Sequence, residues 1–276
     1  MTGQNSLSQL QQKVYNEQDN VRIVYDENVE DHSTCAVYFS SHAVFFPDTA
    51  EEFTKRILLQ DHYEWMHTRY PAYKHIFVRD ICKSWYITGI SSKVQDMDSL
   101  IAFLQEETAG YHNVCMIGSS AGGYAAALVG CQLHADLIMV FDAQFNLDEE
   151  CAKSSEHHHP QLYHECHRED GGRYLHLHDY LNSNNILYVC SVKNPMDSTQ
   201  LAYVSDLPNL HILKVKSKSH GIPFQHAALR KMMLMKKKEL WRLTNKTYTS
   251  FGFSSMMIGP YKTLREMIKH RLKALI

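Results

Sequence analysis

The sequence carries no excess of charge of either sign: over 276 residues the formal net charge at neutral pH is −2. This excludes the overall basic signature of a nucleic-acid binder. No apolar run approaches the roughly 18–20 residues that cross a bilayer. The opening segment, residues 1–14, is polar and lacks the apolar stretch of a secretory signal. No Cys-x-x-Cys pair occurs, and the seven cysteines are odd in number, with Cys35, Cys115 and Cys190 inside apolar runs. Buried free thiols in a reducing, cytoplasmic setting fit this better than a disulfide framework or a zinc site. No internal repeat, low-complexity tract or evident linker divides the chain, so a single domain over residues 1–276 is expected, long enough for a sizeable core.

What is present is a globular composition, 44% hydrophobic and 21% charged. Seven short segments predict strands: 21–26, 35–41, 75–80, 114–119, 137–143, 186–192 and 211–217. Most are apolar nearly throughout, which suits strands covered on both faces, as in a parallel sheet. Helix-like segments fall between them at 50–59, 99–110, 121–133 and 197–207, and this alternation is that of an α/β fold. Residues 145–185 interrupt it as a long, polar insertion that suits a lid; seven of the 18 histidines lie between Cys151 and Tyr180. Residues 226–243 and 263–275 predict amphipathic, basic C-terminal helices. Over residues 226–276 twelve Lys and Arg face only Glu239 and Glu266, a net of +10, which leaves −12 for the rest.

Gly118-Ser119-Ser120-Ala121-Gly122 matches G-x-S-x-G between a predicted strand and a predicted helix. Such a turn exposes its middle residue and demands small neighbours two positions away, so Ser120 is the candidate nucleophile. A serine hydroxyl is a weak nucleophile and needs a base. With this motif the acid and then the histidine follow later in the chain. Asp197 follows the strand 186–192, and His220 follows 211–217, with 220 − 197 = 23 residues between them. His220 would take the serine proton, and Asp197 would orient the imidazole and stabilise its charged form. Asp142 and Asp206 are rival acids, and Asp197 has the competing role of a helix cap.

These features resemble the α/β-hydrolase superfamily over roughly residues 20–225. More narrowly, GSSAGGYAAALVG followed by a strand and FDAQF is similar to hydrolase-fold proteins of bacterial surface-polysaccharide gene clusters. Some of these look like capsule O-acetyltransferases with a Ser-Asp-His triad and acetyl-coenzyme A as donor. The segments YFSSHAVFFPD (38–48) and HIFVRDICKSWYITGI (75–90) add to the likeness. The resemblance implies an α/β-hydrolase fold, a mostly parallel sheet with helices on both faces and a lid-like insertion. It also implies an oxyanion hole built from the Ala121 amide and a donor after the strand 35–41, at Ser41 or His42. No permanently bound cofactor and no metal are implied.

Trp85, Tyr86 and Arg79 lie where α/β sheets bind ligands and are candidate substrate contacts, with Lys83 a second cation for an anionic group; core packing is the competing role. The histidines around 156–167 match no metal-binding spacing, and a solvated insertion is the simpler account. The expected activity is acyl transfer from a small-molecule donor to a carbohydrate or polysaccharide hydroxyl through a seryl ester. A carbohydrate O-acetyl esterase, a non-catalytic binding module of the same fold and a metal-dependent hydrolase are the alternatives. Nothing in the sequence fixes the oligomeric state.

Overall fold

The computed structural model describes residues 6–169 and 172–273. Its strands are β1 (Val21–Tyr25), β2 (Thr34–Phe39), β3 (Lys74–Val78), β4 (Asn113–Ser119), β5 (Leu137–Phe141), β6 (Ile186–Ser191), β7 (His211–Lys216) and β8 (Thr247–Thr249). They form one sheet in the order β1-β3-β2-β4-β5-β6-β7-β8. Among the described strands only the β1–β3 pair is antiparallel. The seven predicted strands are all there, to within two residues at each end. β3, β5 and β6 are buried along their whole length: β5 and most of β6 are apolar runs, while in β3 the buried Lys74 is paired with Glu107 and His75 with the Tyr38 hydroxyl. β7 instead alternates, burying Leu213 and Val215 and exposing Lys214 and Lys216, which marks a strand near the rim of the sheet.

The helices are α1 (Leu7–Glu17), α2 (Ala50–Phe53), α3 (Met97–Thr108), α4 (Ala121–Gln132), α5 (Asp148–Lys153), α6 (Pro160–Cys166), α7 (Pro195–Tyr203), α8 (His226–Met233), α9 (Lys237–Trp241), α10 (Ser250–Ile258) and α11 (Pro260–Lys273). Both faces of the sheet are covered. Residues from α3, α4 and the insertion pack on one face, and residues from α8, α9 and α10 on the other. The helix expected over 50–59 is α-helical only to Phe53 and continues as a wider π-turn over Thr54–Leu59. The helix expected over 226–243 breaks after Met233, and α9 restarts where Glu239 accepts the Lys236 N–H at its N-cap. The last predicted helix, 263–275, is α11; residues 274 and 275 lie outside the described residues.

The insertion at 145–185 is a packed layer. Gln200 of α7 accepts the N–H groups of Phe145 and Asn146 and donates back to Asn146 O. Leu162, Leu175, Leu177 and Leu181 join the apolar layer that holds α4. One expectation is corrected here: Cys151 and Cys166 form a disulfide joining α5 to α6, whereas Cys35, Cys82, Cys115, Cys131 and Cys190 are free. The spacing of 15 residues gave no sign of it, because the pairing depends on two short helices lying side by side, with the two Cα atoms 5.8 Å apart.

Candidate active site

Ser120 sits between β4 and α4 with φ 53° and ψ −125°, a conformation that costs a non-glycine residue about 1–3 kcal/mol. The turn is held from both sides. Ser120 N–H donates to Phe141 O at 2.9 Å, and Ser120 C=O accepts from Tyr124 N–H at 3.0 Å. The flanking glycines are required by contact. A Cβ at Gly118 would lie 2.1 Å from Gly122 O, and one at Gly122 would lie 2.3 Å from Phe39 O. Small residues there let β2, β4 and α4 close on one another beneath the serine.

His220 stands in the loop after β7, and its Nδ1–H donates to Asp197 Oδ1 at 2.7 Å. A carboxylate cannot donate, so this bond places the proton on Nδ1 and leaves the Nε2 lone pair free to act as a base. Burial would lower the pKa of His220; the hydrogen bond and charge of Asp197, with Asp142 and Glu150, outweigh it and raise it above the ordinary 6.5. Asp197 is wholly buried in the first turn of α7 and does not cap the helix. Asn194 does, accepting from Met196 N–H and Asp197 N–H. Asp206 is excluded from the site, since it is exposed and pairs with His178.

Asp142, the other rival, is also at the site. It follows β5 and is wholly buried, with its two oxygens accepting from Ser191 N–H at 2.6 Å and Ser191 Oγ–H at 2.7 Å. One ligating atom from each of Asp142, Asp197 and His220 lies within 4.8 Å of the others. Burial and then the charge of Asp197 push the Asp142 carboxyl up to about 7.

Ser120 Oγ makes no hydrogen bond to His220; it donates to Gln144 Oε1 at 3.5 Å, the far limit of such a bond. Gln144 Oε1 also accepts from Trp85 Nε1–H at 2.8 Å. Gln144 was not singled out from the sequence, although FDAQF places it just past the end of β5. Trp85 is thus buried beside the serine. Asp80 fixes its loop by accepting the N–H groups of Cys82, Ser84 and Tyr86. Tyr86 and Arg79 make the internal bonds of the competing, core-packing role. The Tyr86 hydroxyl donates inside the core to Ser40 O and Val78 O. The buried Arg79 guanidinium is engaged by Asn20, Gln18, His62 O and Asp61. Lys83 is likewise buried and paired with Asp48 and Phe45 O.

Of the expected oxyanion donors, Ala121 opens α4, where the first N–H groups have no intrahelical acceptor. Ser41 is already committed: its N–H and Oγ–H both donate to the Glu64 carboxylate, at 2.6 Å and 3.0 Å. His42 is not committed. Its Nε2 is buried without a partner, and burial, then His159, Lys83 and His220, hold its pKa well below 6.5, so the ring is neutral. Of the insertion's histidines, His176 pairs with Asp148 and His178 with Asp206, whereas the rings of His158 and His159 lie 4.2 Å apart and His159 stacks 5.5 Å from His42. Beside Ser119 a cleft of about 360 Å³ opens between residues 62–68 and α8, with Trp65, Met66, Ile222 and Leu229 in its wall and Arg230 at its rim.

No protein-family model matches the sequence, and no curated protein is similar to it. Among solved structures, the chain is similar to the capsule O-acetyltransferase of Neisseria meningitidis serogroup A at 14% identity and TM-score 0.49, over 91% of this chain and 92% of that one. It is similar to esterase B of Lactobacillus rhamnosis at 12% identity and TM-score 0.41, over 93% and 83%. An alpha/beta hydrolase enzyme from the metagenome of lagoon sediments of Mar Chica, Morocco, gives 11% identity and TM-score 0.41, over 93% and 98%. The mostly parallel sheet, its single antiparallel strand at one end and the sharp serine turn after β4 give this chain the α/β-hydrolase fold.

Proposed function

We propose that the protein is a serine acyltransferase that moves an acetyl group from acetyl-coenzyme A to a carbohydrate hydroxyl. The observations that support the acyl-transfer reading are the His220–Asp197 hydrogen bond and a serine held at φ 53° at the head of a helix. In the first step the Ser120 hydroxyl turns from Gln144 towards His220 Nε2 and attacks the thioester carbonyl as its proton passes to His220. The Ala121 N–H, with a donor from His42, stabilises the oxyanion. His220 returns the proton to the departing thiol, leaving an acetyl ester on Ser120. In the second step His220 takes the acceptor hydroxyl's proton as that oxygen attacks the ester carbonyl, and passes the proton to the departing Ser120 Oγ, freeing the serine. Long hydrogen bonds at such a site before substrate arrives are ordinary, so the Ser120–Gln144 contact is compatible with this route.

The choice of donor and acceptor rests on the sequence resemblance and on two structural features. The cleft beside Ser119 offers apolar wall for a thioester arm, and Arg230 at its rim suits an anionic tail. The insertion borders the site, with His159 against His42 and Trp85 and Glu150 acting on His220, and this supports a site in which water has restricted access to an ester. A second reading, a carbohydrate O-acetyl esterase, is favoured by the partial exposure of Ser120 and His220, which lets water in. The test supplies acetyl-coenzyme A and follows free thiol, with and without capsule-type oligosaccharides. A transferase releases thiol faster with its acceptor and leaves an alkali-labile acetyl group on the glycan. Hydrolysis of acetylated sugars with no gain from any acceptor makes it an esterase. Failure of a fluorophosphonate to label Ser120 in folded protein, with no turnover, makes it a binding module.

A further inference from the structure

Two carboxyl groups stand behind His220, and the triad needs only one. Asp197 Oδ1 accepts the His220 Nδ1–H, but Asp197 Oδ2 is buried with no hydrogen-bond partner. An orphaned buried acceptor of this kind costs about 1–3 kcal/mol, more when charged, unless something donates to it. Asp142 lies against the same site, wholly buried, and Ser191 supplies one bond to each of its oxygens. Two ionised carboxylates buried within 4.8 Å of each other repel strongly. A proton on Asp142 removes both costs, because a carboxylic acid can donate where a carboxylate cannot.

We propose that Asp142 and Asp197 form a carboxyl pair sharing one proton, in which Asp142 is a positioning residue that donates to Asp197 Oδ2 and sets the charge that His220 meets. The proposal rests on the Ser120–His220–Asp197 assignment above. Its chemistry is a proton equilibrium alone. With the proton in place the pair presents one negative charge to the imidazole. Once it leaves, the pair presents two, and the imidazolium becomes harder to deprotonate. The two titrations are therefore linked, and each belongs to the cluster as a whole. The surrounding groups leave that linkage intact. On β6, burial keeps the Tyr188 phenol and the Cys190 thiol neutral. From α5, Glu150 acts on His220, and the neutral His42 faces it from the loop after β2. The positive charge acting on Asp142 is that of His220 itself, and burial already places the Asp142 carboxyl close to neutrality.

The test is an NMR titration of the full chain, read at the His220 ring nitrogens and the Asp142 carboxyl carbon. In the native protein the Asp142 carbon should titrate near neutral pH, and the His220 curve should be broader than that of a single site. Asp142→Asn keeps the shape of the neutral acid and removes its proton equilibrium. It should convert the His220 curve to a single step and lower its midpoint by about one pH unit, a ~10-fold change in proton affinity. The acidic limb of kcat/KM should move down by the same interval. A purely structural Asp142 would leave curve and midpoint unchanged, and that result overturns the proposal. So does loss of the Nδ1–H resonance in Asp142→Asn but not in Asp197→Asn, which would make Asp142 the partner of His220. If Asp142→Asn does not fold, the native Asp142 carbon decides alone: titration below pH 5 overturns the pair. The NMR readings need no turnover, so they stand apart from any failure of the activity reading.

Discussion

At the scale of the residue, the structure holds a strained serine and, separately, a histidine whose tautomer is fixed by a buried acid. Ser120→Ala and His220→Ala should each lower turnover by at least ~10³-fold, since such residues act as a unit. Asp197→Asn should cost less than Ser120→Ala; steady-state kinetics on folded variants checks all three, and near-normal turnover of His220→Ala would send the search to another base. The acidic limb carries a second expectation. The base must be neutral to accept the serine proton, and its pKa is raised, so kcat/KM should rise with pH through a value above 6.5. A limb centred well below 6.5 would contradict the Asp197 bond. The sharp turn at Ser120 and the pairing of Asp197 with His220 were legible because G-x-S-x-G and two strand ends each mark a place along the chain. For Arg79 and Tyr86 the sequence left substrate contact and core packing both open, because position after a strand does not reveal direction; both side chains are bonded in the core. Gln144, Glu64 and Asp80 left no signal, since each acts through contacts with residues distant in sequence or through loop N–H groups.

At the scale of the element, α4 explains why the insertion is packed. Ala121–Cys131 are all buried, so this helix has no face suited to water. The sheet covers one side; Leu162 and Leu177 of the insertion cover another, and the Tyr124 hydroxyl donates to Tyr174 O. Leu162→Ala should destabilise the protein by about 2–4 kcal/mol through the cavity it leaves. Urea unfolding would show it, and a change under ~0.5 kcal/mol would mean the layer is only loosely seated. Strands and inner helices were legible because two-sided burial writes itself as apolar runs. β8 was not, because three exposed or half-exposed residues pair only with β7 and carry no pattern. The break between α8 and α9 was hidden too, since residues 234–236 include neither Gly nor Pro.

At the scale of the molecule, charge is divided between a C-terminal segment of +10 and a remainder of −12. Arg230, on α8 within that basic segment, reaches the rim of the cleft beside Ser119. An anionic donor should therefore show a KM that rises with ionic strength. Arg230→Ala should raise KM at low salt several-fold and flatten that dependence, with kcat nearly kept; an unchanged salt profile would detach the basic segment from donor binding. The strand order has a different consequence, one of time. Ser120 lies 220 − 120 = 100 residues before His220, which needs β7 in place to reach Asp197. At synthesis rates of about 5–20 residues per second, the serine leaves the ribosome roughly 5–20 s ahead of its base. Through that interval it is an ordinary alcohol. A half-made chain therefore carries Ser120 without His220 until β7 has been laid down, so the strand order delays any pairing of the two to the last third of synthesis.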